Sequence, residues 1–153
     1  MAKLKTGDPA PAFEALDQDG NMKTLADYRG RKLILYFYPK DNTPGCTAEA
    51  CSLRDGRDTL RRMGFEVVGV SPDSEKSHQG FIAKQGLNFT LLADTDKKIA
   101  EAYGVWGEKK FMGRTFMGIL RTTFVIDEQG VIEKIFDKVR TKDHFEQIVE
   151  AYQ

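Results

Sequence analysis

A chain of 153 residues, 41% hydrophobic and 30% charged, is long enough for one packed core and short for two, so a single domain over residues 1–153 is expected. Its 23 basic and 23 acidic residues cancel, which leaves no net field to draw in nucleic acid or an anionic membrane. The stretch from Met1 to Pro9 lacks an apolar run of signal-peptide length, and no later run approaches the ~18 residues of a membrane span, so a soluble cytoplasmic protein is expected.

The first elements are weak. A strand is expected around Pro11 to Leu16, a turn at Asp17 to Asn21, and a short helical turn at Leu25 to Tyr28 before Gly30. Lys32 to Tyr38 is a nearly unbroken apolar and aromatic run stopped by Pro39, which fits a central strand covered on both faces. Lys40 to Gly45 then has loop composition, and Cys46 to Met63 is rich in helix formers up to Gly64. Phe65 to Ser71 predicts a second buried strand, Ser74 to Gln85 a helix closed by Gly86, Phe89 to Ala93 a third strand, and Asp96 to Tyr103 another helix. Leu120 to Asp127 and Val131 to Phe136 flank the break Glu128-Gln129-Gly130 and predict an antiparallel hairpin. Thr141 to Tyr152 predicts a terminal helix with Thr141 as N-cap. Strands alternating with helices before a closing hairpin give an α/β class, with a central mixed sheet flanked by helices.

Two cysteines, Cys46 and Cys51, make no secreted disulfide framework; in a reducing compartment a close pair is more often catalytic or metal-binding. The only histidines, His78 and His144, are not spaced with them as zinc ligands usually are, so no metal is expected and both read as surface residues. A free cysteine is only roughly 3% thiolate at pH 7, and the thiolate is the nucleophile. A helix N-terminus lowers a thiol pKa by only about one, so a reactive Cys46 also needs a fixed cation nearby. Arg121, opening the penultimate strand, is the candidate, because functional crevices in α/β sheets lie outside strand ends; a solvated surface charge is the alternative. Thr43 can donate its hydroxyl to a thiolate or a peroxide, and Gly45 lets backbone N–H groups approach a small ligand, although both also suit an ordinary turn.

On one regular helix, five positions separate the Cα atoms of Cys46 and Cys51 by about 8 to 9 Å. A disulfide needs Cα atoms within ~7 Å. Either the pair never bonds, or the helix start unwinds. Unwinding would be eased by a loose entry at Pro44 and Gly45 and by the small or polar side chains of Ala48, Glu49 and Ala50, expected to hold weakly to a core.

The stretch Pro39-Lys40-Asp41-Asn42-Thr43-Pro44-Gly45-Cys46-Thr47-Ala48-Glu49-Ala50-Cys51 closely resembles the peroxiredoxins, through the pattern proline, three residues, threonine, two residues, cysteine. The second cysteine five positions on is similar to the bacterioferritin comigratory protein or peroxiredoxin Q group. The resemblance extends over nearly the whole chain, including Gly7 to Phe13, Tyr103 to Glu108 and Arg121 to Asp127. It implies a thioredoxin-like fold, Cys46 as peroxidatic and Cys51 as resolving cysteine, and Thr43 and Arg121 as the groups that orient peroxide and thiolate. It further implies that Pro39, Pro44 and Gly45 shape the substrate site, that no cofactor is needed, and that the working form is a monomer. Because the chain carries no dinucleotide-binding glycine motif, the disulfide would be reduced by an external dithiol, thioredoxin first and glutaredoxin second. A thioredoxin-like disulfide reductase and a redox sensor relaying oxidation to a partner are the competing readings.

Overall fold

The computed structural model describes residues 3–153. A seven-stranded sheet runs through it in the order β2-β1-β5-β4-β3-β8-β9. Its strands are β1 (Glu14–Asp17), β2 (Met22–Thr24), β3 (Lys32–Phe37), β4 (Phe65–Ser71), β5 (Thr90–Ala93), β8 (Thr122–Ile126) and β9 (Ile132–Phe136). The pairs β3–β4 and β4–β5 are parallel and the others antiparallel, so the sheet is mixed, as expected.

Alternation along β3 divides the core in two. Leu33, Leu35 and Phe37 face a cluster that includes Ile99, Ala100 and Tyr103 from α3 (Lys98–Ala102) and its end. Ile34, Tyr36 and Tyr38 face the other way, toward α1 (Pro44–Arg62), α2 (Glu75–Gln85) and α4 (His144–Glu150). Helix α1 sends Cys46, Ala50, Leu53 and Leu60 into that second cluster, a helical stripe that fixes its rotation over the sheet. Midway along it, Gly56 lies so close to α4 that a Cβ there would stand 2.0 Å from Cδ1 of Phe145.

Several boundaries differ from those expected. Helix α1 begins at Pro44, not Cys46: Thr43 is its N-cap and Pro44 occupies its first turn, where the missing N–H is no loss. Helix α4 has Asp143 rather than Thr141 at its N-cap and ends at Glu150, and α3 spans five residues only. Arg121 sits just before β8 rather than in it. A two-stranded hairpin, β6 (Trp106–Phe111) and β7 (Arg114–Ile119), was not expected at all. Met112 and Gly113 turn it with positive φ at both positions, and its Phe111 and Met112 are exposed, so it lacks the one-sided apolar alternation that marks a strand in sequence.

Candidate active site

Cys46 occupies the third position of α1, with 1% of its surface exposed, where the parallel strands β3 and β4 end. The loop before it is fixed from beneath. Asp41 is buried, accepting at Oδ1 from the Tyr38 hydroxyl (2.6 Å) and at Oδ2 from the Ser77 hydroxyl (2.8 Å). Its Oδ2 also lies 2.7 Å from Nδ1 of His78, whose Nε2 donates to the Leu92 carbonyl at 2.9 Å, and its backbone N–H donates to Asp73 at 2.8 Å. These bonds tie Tyr38 and Asp41 to α2, to β5 and to Asp73 in the turn after β4.

Arg121 reaches the sulfur. Its Nη2 donates to Cys46 Sγ at 3.3 Å and its Nη1 to Glu49 Oε1 at 2.6 Å, so one planar guanidinium spans two groups on one face of α1. Gly45 serves this contact: a Cβ there would lie 3.3 Å from Nη2, tighter than almost any packed side chain allows. Its missing side chain thus admits the guanidinium. Burial works against the charge of Arg121, but Glu49 and Cys46 outweigh it and hold its pKa above the ordinary guanidinium value.

The Thr43 hydroxyl donates to the Lys40 carbonyl at 2.9 Å. With its proton placed there, the hydroxyl oxygen offers a lone pair toward its surroundings. Pro39 is half-buried at the end of β3 and Pro44 is exposed. Cys51 is half-buried on another face of α1, its Sγ 3.7 Å from Gln85 Oε1 on α2, and both thiols are free. The cysteines thus point at different neighbours, as five positions on a regular helix require.

Four residues of this region went unread in the sequence as site residues. Glu49 and Thr123 are fully buried, and so are both histidines, which corrects their reading as surface residues. His144 Nε2 lies 2.8 Å from the Thr123 hydroxyl and 3.8 Å from Glu49 Oε2. Burial pushes Glu49 up to about 7, with Arg121 pulling the other way, and pushes His144 down to about 4. The signal was present for Glu49: three positions after Cys46 and one before Ala50, it falls on the apolar stripe of α1, where a charge needs a buried partner.

Beyond Arg121 a cavity of about 550 Å³ opens, lined by Tyr103, Val105, Leu120 and Phe124 together with Lys109 and Arg121. Burial and the neighbouring Arg121 lower the pKa of Lys109.

Known proteins are similar to this chain in sequence and fold. A family model described as AhpC/TSA family matches residues 6–135. The chain is 51% identical over 150 residues to a putative peroxiredoxin bcp of Haemophilus influenzae, covering 98% of this chain and 97% of that one. It is 48% identical over 149 residues to peroxiredoxin Bcp of Escherichia coli, covering 97% and 96%. Among solved structures, a PrxQ mutant of Xylella fastidiosa superposes with a TM-score of 0.92 at 33% identity over 99% of this chain and 97% of that one. A bacterioferritin comigratory protein of Xanthomonas campestris, described for its alkyl peroxide reduction activity, does so at 0.85 and 35% identity over 91% and 88%. With its mixed sheet, its cysteine at the start of α1 and these relatives over nearly its full length, the chain belongs to the AhpC/TSA family as a peroxiredoxin of the Bcp and PrxQ branch.

Proposed function

We propose that Cys46 is the thiol that attacks a hydroperoxide and that Cys51 resolves the product as an intramolecular disulfide, in a chain that works as one domain. As a peroxiredoxin the protein is a peroxidase, an oxidoreductase. The observation that carries the assignment is the contact of Arg121 Nη2 with Cys46 Sγ at 3.3 Å, a permanent cation donating to that buried sulfur, whereas the Cys51 sulfur has the Gln85 side chain as its hydrogen-bond partner. The Cys46 thiolate attacks one peroxide oxygen, the O–O bond breaks, and water or an alcohol leaves with a proton, so that Cys46 becomes a sulfenic acid. Cys51 thiolate then attacks that sulfur, the S–O bond breaks, water leaves and the disulfide forms. Thr43 accepts a hydrogen bond from the peroxide O–H through its free lone pair. The apolar cavity beside Arg121 gives room for the carbon chain of an organic hydroperoxide, which supports a substrate range beyond hydrogen peroxide.

Thioredoxin is the proposed reductant and glutaredoxin the second candidate. The reading as a protein disulfide reductase is less favoured, since a cysteine with 1% exposure offers no approach to a folded protein's disulfide. Peroxide consumption coupled to thioredoxin and its reductase tests the assignment. Wild type turns over repeatedly, Cys46→Ser consumes no peroxide, and Cys51→Ser consumes one equivalent and stalls as a sulfenic acid visible by mass. First-turnover rates equal in Cys46→Ser and wild type refute it, and a single turnover by wild type with thioredoxin in excess would leave only the sensor reading.

Resolution also requires motion, because Cα atoms about 8 to 9 Å apart on a helix exceed the ~7 Å limit of a disulfide. The two supports expected for this unwinding are absent. Pro44 and Gly45 belong to the helix rather than to a loose lead-in, and Glu49 and Ala50 are buried rather than weakly attached. Unwinding must therefore draw Glu49 off Arg121. Amide hydrogen exchange from about Cys46 to Leu53 is expected to quicken on oxidation while β3 stays protected in both states. Equal protection of that segment in both states, with the disulfide confirmed by mass, would mean that the bond forms without unwinding.

A further inference from the structure

Arg121 serves two acidic groups, Cys46 and Glu49, with one charge. Two full anions cannot both be neutralised by it in a buried site, so the protonation of Glu49 decides how much of that charge Cys46 receives. The atoms around the far carboxylate oxygen are decisive. Glu49 Oε1 accepts from Arg121, but Oε2 is fully buried with no hydrogen-bond partner among the described residues. Its neighbour at 3.8 Å is Nε2 of His144.

The tautomer of that imidazole follows from its surroundings. Gln147 is fixed by donating Nε2–H to the Lys138 carbonyl (2.9 Å) and accepting at Oε1 from the Arg140 backbone N–H (3.0 Å). Its Oε1 also lies 2.9 Å from His144 Nδ1, so Nδ1 must carry the hydrogen and donate. In the neutral ring Nε2 is then a lone pair, accepting from the Thr123 hydroxyl at 2.8 Å. An ionised Glu49 would set an unpaired carboxylate oxygen against that lone pair, away from water.

We propose that Glu49 bears a proton on Oε2 in the reduced enzyme, that neutral His144 is the positioning residue that keeps it there, and that Cys46 is thereby the anion Arg121 neutralises. The proposal rests on the reading of Cys46 as the reacting thiol. The other groups facing this pair are consistent with it. Tyr36 on β3 carries a second buried oxygen without a hydrogen-bond partner among the described residues, and burial followed by the charge of Glu49 drives its pKa far up, so it adds no charge. Burial dominates at His144 and holds the ring neutral above about 4, against the Gln147 hydrogen bond and Asp143, which favour a proton, and with Arg121 and Arg140, which disfavour one. Glu49, raised to about 7, retains its proton in the range where His144 has none.

When the start of α1 melts, Glu49 enters water, where its pKa returns to about 4.3 and the proton is released. Disulfide formation is thus coupled to the loss of one proton from a side chain that takes no part in the chemistry.

The test uses the full chain in a Cys51→Ser background, where Cys46 is the single thiol. Alkylation of Cys46 followed from about pH 4 to pH 10 is expected to show a broadened transition, because Cys46 and Glu49 titrate against one cation. Glu49→Gln imitates the protonated carboxyl: Oε1 still accepts from Arg121 and the amide can face His144. It is expected to sharpen the transition to one step with its midpoint unmoved or lowered by up to about 1 on the pH scale. A higher midpoint, or breadth equal to the parent's, overturns the proposal, since an ionised carboxylate would then be what holds Arg121 in place. Should Glu49→Gln fail to fold, the reduced-minus-oxidised infrared spectrum of the wild type at about pH 6 decides. A protonated-carboxyl C=O band lost on oxidation supports the proposal, and its absence overturns it. Mass of the same sample shows whether the Cys46–Cys51 disulfide has formed: a disulfide without loss of the band refutes the proton assignment alone, and no disulfide refutes the thiol assignment.

Discussion

Replacing Arg121 by Ala is expected to slow oxidation of Cys46 by peroxide by about 10² to 10³, since it removes a permanent cation aimed at the sulfur proposed to react. The same substitution leaves Glu49 buried and without the one hydrogen-bond donor it has among the described residues, which costs on the order of 2 kcal/mol of stability. The two losses separate with pH. Without Arg121, burial acts on Glu49 unopposed and raises it further, so the folded state binds a proton that the unfolded state gives up at about pH 4.3. Wild type, with Glu49 at about 7, loses stability alike up to that pH, so the deficit of Arg121→Ala relative to wild type widens only above about pH 7 and is larger at about pH 8 than at about pH 5. Arg121→Lys recovers part of the stability but little of the rate, because an ammonium cannot span Sγ and Oε1 with a planar fork. Stopped-flow oxidation and urea denaturation at the two pH values check both; a rate within a factor of about three of wild type would make Arg121 a structural cation only.

Gly56→Leu is expected to destabilise the protein by about 3 kcal/mol, although leucine is the better helix former by nearly 1 kcal/mol. A Cβ at position 56 would meet the ring of Phe145 at 2.0 to 2.5 Å, near its attachment to the backbone, so α4 as a whole has to retreat. That retreat would loosen the bond from the Phe145 N–H to the Ser52 hydroxyl at 3.0 Å and displace His144 beside it. Urea denaturation measures the loss. Adding Phe145→Ala to Gly56→Ala is expected to recover part of the cost of the glycine substitution, and strict additivity would show that the two sites do not touch.

The sheet was legible because β3 and β4 are buried on both faces and are written as apolar runs bounded by Pro39 and Gly64. The loop and Cys46 were legible from residue spacing in a short segment. What escaped was the polar interior. Glu49, Thr123, His78 and His144 come together from α1, β8, α2 and α4, and nothing in the local sequence says that a histidine on a terminal helix will lie beside a carboxylate 95 positions earlier. The hairpin Trp106–Phe111 and Arg114–Ile119 escaped for the opposite reason: its pairing is local, but it packs neither face fully and so leaves no apolar alternation to read.

The continuity of α1 over 19 residues, from its N-cap at Thr43 past Gly56, bears on how quickly the enzyme resets. A helix is slow to start and fast to extend, because the first turn fixes several residues for a single hydrogen bond. In the proposed cycle, once a reductant opens the Cys46–Cys51 bond, the segment between them has the rest of α1 on its C-terminal side and a proline-fixed first turn on the other. It re-forms by extension from an existing nucleus, at nanoseconds per residue, against seconds or longer for ordinary disulfide exchange. Re-forming the helix therefore adds no measurable delay to the proposed cycle, and the return to the reduced state is set by thiol chemistry and by encounter with the reductant.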